Sequence, residues 1–342
     1  MAPPTPSRRQ ALQLGALALA PAAGLALLGC ATPGPAAGQA PMAVREATER
    51  FAHLAPEGSA VAVQASPRTG EWLSSHQSDR PRFVGSAVKT FIVAQYLRDV
   101  EDRRGGLDLD APCTVGDAQR SPGSPVFGAL SGQTRCRSVL EAMIAHSDNT
   151  ATDIALAQVG AERVRTLIRE AGLAQTRIPD STRHLFSYLA GAPLGTDLGW
   201  AGMQALAQDG LPGLRARHDV LNPHQSMLST ADELVQWYRD SLAGRFFRTP
   251  KSLLEYQRIH AMADALWMTL PATTPAFGKG GSLDWEGFHC LSLAGQMQVQ
   301  GAPASFCFLL NWQGGPSSVE RTPAFIAAAR QVLEATARAM GG

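Results

Sequence analysis

Apolar residues recur with helical spacing over the stretches 89–103, 136–146, 150–159, 161–171, 230–243 and 250–268, each bounded by Gly, Pro or Ser. These stretches predict helices. Ahead of them, Ala43 to Leu54 also reads as a helix, and "SAVAVQA" at 59–65 predicts a strand that turns at Ser66-Pro67-Arg68-Thr69-Gly70 towards Glu71-Trp72. The far end mirrors this order. Strand-like runs at 287–295 and 305–312 are joined by "QGAPA", and a long helix is predicted from Pro323 to Met340, with proline near its start, where a missing N–H does least harm.

Strands at both ends of a chain can share one sheet while the helical middle packs as a separate lobe. The expected class is therefore α/β (α+β): an antiparallel sheet flanked by terminal helices, with an inserted all-helical lobe. The expected boundaries are 42–77 and 258–342 for the sheet domain and 78–257 for the helical domain. A cleft between the two is the natural ligand site.

Residues 1–30 stand apart from this pattern. Ser7-Arg8-Arg9 precedes an apolar stretch that ends in Leu27-Leu28-Gly29-Cys30, which resembles a twin-arginine export signal joined to a lipoprotein cleavage box. Pro21 and the Ala/Gly-rich content argue against a membrane span. The expectation is an exported protein, periplasmic or on the outer cell envelope, lipid-anchored through Cys30, with 31–41 ("ATPGPAAGQAP") as a flexible tether. Four cysteines remain, Cys113/Cys136 and Cys290/Cys307. They read either as two local disulfides, which export permits, or as buried thiols.

Composition narrows the partners. The 342 residues are 45% apolar and 17% charged, with a formal net charge of +1 and no like-charge run, so neither a nucleic-acid footprint nor a polybasic membrane patch is present. A small-molecule or peptide substrate is expected, with the membrane met only through the lipid anchor and the chain acting as a monomer. The spacings show no metal-binding pattern, and no cofactor is implied.

Only three of the 30 basic residues are lysines: Lys89, Lys251 and Lys279. Surface charge here is arginine's role, so each lysine is a candidate for chemistry that a guanidinium cannot perform, namely giving up its proton when buried. Lys89 lies in "GSAVKTF", three residues after Ser86 at a predicted helix start, where hydroxyl and amine share a face and the helix end favours an oxyanion. Lys279 lies in the Gly-rich "GKGGS" at 278–282. Between them, "HSDNTA" at 146–151 holds Ser147, Asp148 and Asn149. Each element alone also reads as an ordinary cap or turn.

In the order Ser-x-x-Lys, Ser-Asp-Asn, Lys-x-Gly, across about 44–341, the chain resembles the penicillin-recognising serine hydrolases, namely class A β-lactamases and related penicillin-binding enzymes. The resemblance implies Ser86 as nucleophile, Lys89 as its base or proton relay, and Ser147 as the donor to the leaving nitrogen, helped by Lys279. It also implies Asn149 as a substrate hydrogen-bonder, with the backbone N–H groups of Ser86 and Ser282, beside Gly281, as oxyanion hole. The implied activity is acyl transfer through an acyl-enzyme on β-lactams or related amides. The alternatives are a D-alanyl peptidase or transpeptidase, a slow-deacylating penicillin-binding protein, and a non-catalytic envelope-binding lipoprotein.

Three departures stand out. No Glu occurs between Glu170 and Glu233, although the family's water-activating glutamate would be expected near Tyr188; Asp180, Asp197, Asp209 and Asp219 are the carboxylates available. Gly280 replaces the usual hydroxyl residue between Lys and Gly. No Arg occurs between Arg258 and Arg321, so the usual clamp for a substrate carboxylate is missing, and His289 lies near where such an Arg is often found.

Overall fold

The computed structural model describes residues 38–67, 70–208 and 218–341. The export signal, Cys30 and residues 31–37 of the expected tether lie outside the described residues, as does Asp209.

The described strands are β1 (Gly38–Gln39), β2 (Ser59–Ala65), β3 (Trp72–His76), β4 (Arg82–Phe83), β5 (Pro112–Val115), β6 (Gly132–Arg135), β7 (Leu228–Ser229), β8 (Ala276–Trp285), β9 (Phe288–Val299) and β10 (Ala302–Gln313). The helices are α1 (Met42–Ala52), α2 (Lys89–Glu101), α3 (Cys136–Ala145), α4 (Asn149–Val159), α5 (Ala161–Glu170), α6 (Thr182–Leu189), α7 (Gly199–Gln208), α8 (Ala231–Leu242), α9 (Pro250–His260), α10 (Asp264–Trp267) and α11 (Ser318–Gly341).

The main sheet runs β1-β3-β2-β10-β9-β8. Its five long strands are antiparallel, and the dipeptide β1 adds a parallel edge through Gly38 opposite Trp72. Buried residues continue without alternation along β9 and β10, as they must in a sheet covered on both faces. The terminal helices α1 and α11 pack together on one face, and α8 packs across β2, β9 and β10 on the other. This is the expected mixed α/β architecture of an antiparallel sheet, terminal helices and a helical lobe.

Several expected boundaries shift for physical reasons. The predicted helix 250–268 is two helices, α9 and α10, separated at Ala261–Ala263. The last helix begins at Ser318, five residues before the proline, because Asp284 receives both the N–H (2.9 Å) and the hydroxyl (2.8 Å) of Ser318 and so anchors that helix end with a negative charge. The tract "GKGGS" belongs to the edge strand β8 rather than to a turn.

Cys113 and Cys136 form a disulfide with Cα atoms 5.4 Å apart. The possible Cys290–Cys307 pair is not made: both thiols are free and buried. Cys290 sits opposite Asn311 and Cys307 opposite Ala294, four ladder positions apart, which is roughly 13 Å along the strand and beyond disulfide reach.

Within the helical lobe α2 is the central element. Phe91, Ile92, Val93, Ala94, Tyr96 and Leu97 are all buried, so the helix is enclosed on nearly every side. Thr90 joins Tyr256 (2.6 Å) and the Trp237 indole N–H (2.9 Å) in a buried network that fixes α2 against α8 and α9. The first turn of α2 is thereby held in place, and that turn carries the candidate chemistry.

Candidate active site

Ser86 lies in a 3-10 turn, Gly85–Val88, that runs directly into α2. Gly85 has φ +52°, a conformation that disfavours a side chain, and a Cβ there would come within 3.3 Å of Ser282 N. Gly281 is more demanding still. A Cβ at that position would lie 2.5 Å from Val84 O and 2.6 Å from Ser86 N. The Gly of the third motif thus lets the edge strand touch the turn bearing Ser86, and it brings the N–H groups of Ser86 and Ser282 to the same edge.

Lys89 is fully buried. Its Nζ donates to Asn149 Oδ1 (2.7 Å) and Ser147 O (2.6 Å), with Ser147 Oγ at 3.4 Å. Among the described residues no hydrogen bond joins it to Ser86 Oγ; such contacts often tighten only when substrate is bound. Burial holds the Lys89 amine well below the ordinary lysine range, the positive charge of Lys279 lowers it further, and Asp148 and Asp153 offset part of this. Burial thus favours the neutral amine at Lys89. Lys279, also buried, donates to Gly280 O (2.6 Å), and burial brings its pKa down to about 7, with Asp264 opposing.

The middle motif is held by more than a helix cap. Asp148 does cap α4, accepting from Ala151 N–H at 2.8 Å, but its other oxygen accepts from Val126 N–H (2.9 Å) and Phe127 N–H (2.8 Å). The loop 121–128 is so tied to the start of α4. Asn149 Nδ2 donates to Pro122 O (2.6 Å), which orients its oxygen towards Lys89, and Gly123 has no Cβ because one would lie 2.8 Å from Asn149 Nδ2. Ser147 takes a left-handed conformation (φ +59°), uncommon outside glycine and a mark of local strain.

Ser147, Lys279, Gly281 and Ser282 line one cavity of about 290 Å³. A larger cavity, of about 610 Å³, lies near Arg82, Trp285 and Asn311 and contains none of the motif residues. The structure thus brings together Ser86, Lys89, Ser147, Asn149, Lys279, Gly281 and Ser282, while Lys251 sits exposed at the start of α9.

The sequence pattern of the beta-lactamase enzyme family matches residues 45–234, more than half of the chain. The chain belongs to that family. It is 29% identical over 184 residues to Beta-lactamase 1 of Streptomyces cacaoi, a match spanning 49% of this chain and 56% of that protein, so the chain spans about half the length of this relative. Its fold is shared with a beta-lactamase from Chitinophaga pinensis (16% identity, 86% of this chain and 98% of that one, TM-score 0.65). It is also shared with a class A beta-lactamase from Mycobacterium abscessus (19%, 85% and 99%, 0.63) and with PBP-A (15%, 88% and 98%, 0.63).

For this beta-lactamase family chain the absent glutamate becomes a question about which group faces the Ser147–Asn149 turn. Tyr188 stacks on His218 with ring centres 3.9 Å apart. Thr182 faces the turn, its hydroxyl bonded to Ser121 Oγ (2.7 Å) and 3.4 Å from Asn149 O. Sequence reasoning missed Asp153, a buried carboxylate one turn into α4 that accepts from Thr182 N–H (2.6 Å) and Arg183 N–H (3.2 Å). Burial raises its pKa despite those bonds. Its spacing from Asn149, one helical turn on the same face, was the available signal.

Two of the other candidate carboxylates are held in ion pairs. Asp180 pairs with Arg165 (2.7 Å), Asp197 pairs with Arg183 (2.6 Å), and Asp219 lines the larger cavity. His289 is bonded to Asp284 and stacked on Trp312, which gives it a structural setting.

Proposed function

We propose that the protein is an exported serine hydrolase that forms an acyl-enzyme at Ser86 on β-lactams or related amides. The observation that carries this reading is Lys89: buried, depressed in pKa, and bonded to the Ser-Asp-Asn turn. Ser86 Oγ attacks the carbonyl carbon as its proton passes to the neutral Lys89 amine. The N–H groups of Ser86 and Ser282 receive the oxyanion. The C–N bond then breaks, and the departing nitrogen takes a proton handed on through Ser147 beside Lys279. Water finally attacks the ester, giving a carboxylic acid and free Ser86. The sheet segments 42–77 and 258–342 supply Lys279 and Ser282, the helical segment 78–257 supplies the rest, and Asn149 holds the substrate amide.

A second reading, that the acyl group leaves slowly as in a penicillin-binding protein or D-alanyl transpeptidase, is favoured by the lack of any Glu between Glu170 and Glu233. A variant of the similarly folded PBP-A has been captured as an acyl-enzyme with penicillin G. Export with lipid attachment at Cys30 belongs to the same proposal, and the Cys113–Cys136 disulfide is consistent with it.

Intact mass after incubation with penicillin G tests the proposal: an adduct on the wild type and none on Ser86→Ala is expected. Absence of adduct with both penicillin and a fluorophosphonate would instead leave the non-catalytic binding role. Nitrocefin turnover beside adduct lifetime separates hydrolase from slow releaser.

A further inference from the structure

A further hollow lies on the helical lobe and is lined by none of the motif residues. After α5 the chain turns at Gly172 (φ +76°), and the helix and the segment that follows it border a cavity of about 430 Å³. Its floor is apolar: Ile168, Leu173 and Ile178 are buried there, beside an exposed Ala174. Three arginines line it, Arg165, Arg169 and Arg177, and among the described residues no carboxylate does.

The three guanidiniums are not equivalent. Arg165 is engaged on every side, donating to Glu162 (2.6 Å), Asp180 (2.7 Å) and Ile178 O (3.0 Å). Arg169 donates to the Thr166 hydroxyl (2.8 Å), and Arg177 donates through Nη1 to Ala174 O (2.7 Å) and Thr176 O (2.9 Å). Each guanidinium carries five N–H groups, so both keep unused donors. Neither has an ion pair among the described residues, whereas Arg98, Arg163 and Arg183 in the same lobe are each paired with a carboxylate.

These two arginines are not needed to close the end of α5. Leu167 O, Ile168 O and Arg169 O already accept backbone N–H groups from Ala171, Leu173 and Gly172. The carboxylates around the hollow are turned to other partners: Glu162 and Asp180 to Arg165, Glu170 to Arg98, and Glu233 to the Gln175 N–H and the Thr176 hydroxyl. Arg169 and Arg177 are thus exposed cations beside an apolar floor. A carboxylate fills one guanidinium fork, whereas a phosphate monoester presents three terminal oxygens and can take donors from two.

We propose that this hollow binds a phosphate monoester whose organic part is apolar, with Arg169 and Arg177 holding the phosphate and the floor receiving the organic part. The proposal does not depend on the acylating serine.

The test is isothermal titration calorimetry of the full chain with phenyl phosphate, benzoate and dihexanoyl phosphatidic acid. Phenyl phosphate should bind saturably, at one site, and at least about tenfold more tightly than benzoate. Arg169→Ala and Arg177→Ala should each weaken that binding at least about tenfold, with Tm within a few degrees of the wild type, as expected for loss of a charge-assisted hydrogen bond. Arg45→Ala, at an exposed arginine of α1, should leave it unchanged. Where an alanine variant loses its Tm, the lysine substitution at the same position keeps the charge, removes the fork and should still weaken binding. The two phosphates identify the source: tighter binding of phosphatidic acid than of phenyl phosphate assigns a lipid headgroup, and the same or weaker binding assigns a soluble ester. No saturable binding of either phosphate, benzoate bound as tightly as phenyl phosphate, or an affinity unmoved by both arginine variants would overturn the site.

Discussion

Two walls around the start of α4 are built to different standards. On the side of the 121–128 loop and the start of α4, buried polar groups converge on Lys89: Asp148 satisfies three N–H groups, and Asn149 bridges Lys89 and Pro122. Packed against it through Thr182, the 180–183 segment brings Asp180, Ser181, Thr182 and Arg183, and its charges are closed in ion pairs with Arg165 and Asp197. The first wall fixes a buried lysine of lowered pKa against the Ser147–Asn149 turn, as the proposed acyl-enzyme chemistry requires. In the second, Asp180 and Asp197 are both taken up by arginines instead of facing the Ser147–Asn149 turn. Formation of the acyl-enzyme and its release are separable requirements, and this chain meets the first more fully than the second.

The largest effects should fall on the first wall. Ser86→Ala should leave no penicillin adduct by intact mass, and Lys89→Ala should slow acylation about 10²–10⁴-fold, the range for loss of a positioned base. Asp148→Ala leaves three buried N–H groups unpaired and should lower stability by about 3–5 kcal/mol in urea unfolding, with slower acylation in the fraction that folds.

A third effect is linked to pH. The folded pKa of Lys279 is about 7 against an ordinary 10.5, so the unfolded chain binds more protons between those values. Stability should therefore rise with pH from about 7 towards 10.5, with the full cost of burying the charge present below 7. Lys279→Met should raise Tm at pH 6, by an amount reflecting a cost on the order of 3–5 kcal/mol, and should lose most of that gain above pH 10. Acylation should move the opposite way, weakening as the Lys279 charge disappears above pH 7. The smallest effects belong to the second wall: Asp180→Asn and Asp197→Asn should each change adduct lifetime less than about twofold, because their carboxylates already face arginines.

The sheet was legible where pattern and burial agree. "SAVAVQA" is β2 to the residue, and the two C-terminal runs are strands whose ends extend a few positions beyond the apolar core of each. The edge strand β8 was not legible, because "GKGGS" has no β-forming side chains; its glycines are there to let Val84, Ser86 and Ala294 approach. Likewise the register that separates Cys290 from Cys307 depends on the β9–β10 turn, which cysteine counting does not see. Lysine scarcity pointed to Lys89 and Lys279, and the structure buries both, Lys89 against the Ser147–Asn149 turn and Lys279 in the cavity it shares with Ser147. Asp153 was hidden because an aspartate inside a helical stretch looks like surface charge until the 180–183 segment folds over it.

The most direct test is the rate of acylation by penicillin G between pH 5.5 and 10, measured by stopped mass spectrometry on wild type and Lys89→Ala. The account predicts a wild-type rate that does not wait for the ordinary lysine pKa of 10.5, because burial and the nearby Lys279 charge hold Lys89 well below it, and a variant at least about 10²-fold slower throughout. A wild-type rate that climbs only as pH approaches 10.5, or a Lys89→Ala variant as fast as the wild type, would contradict it.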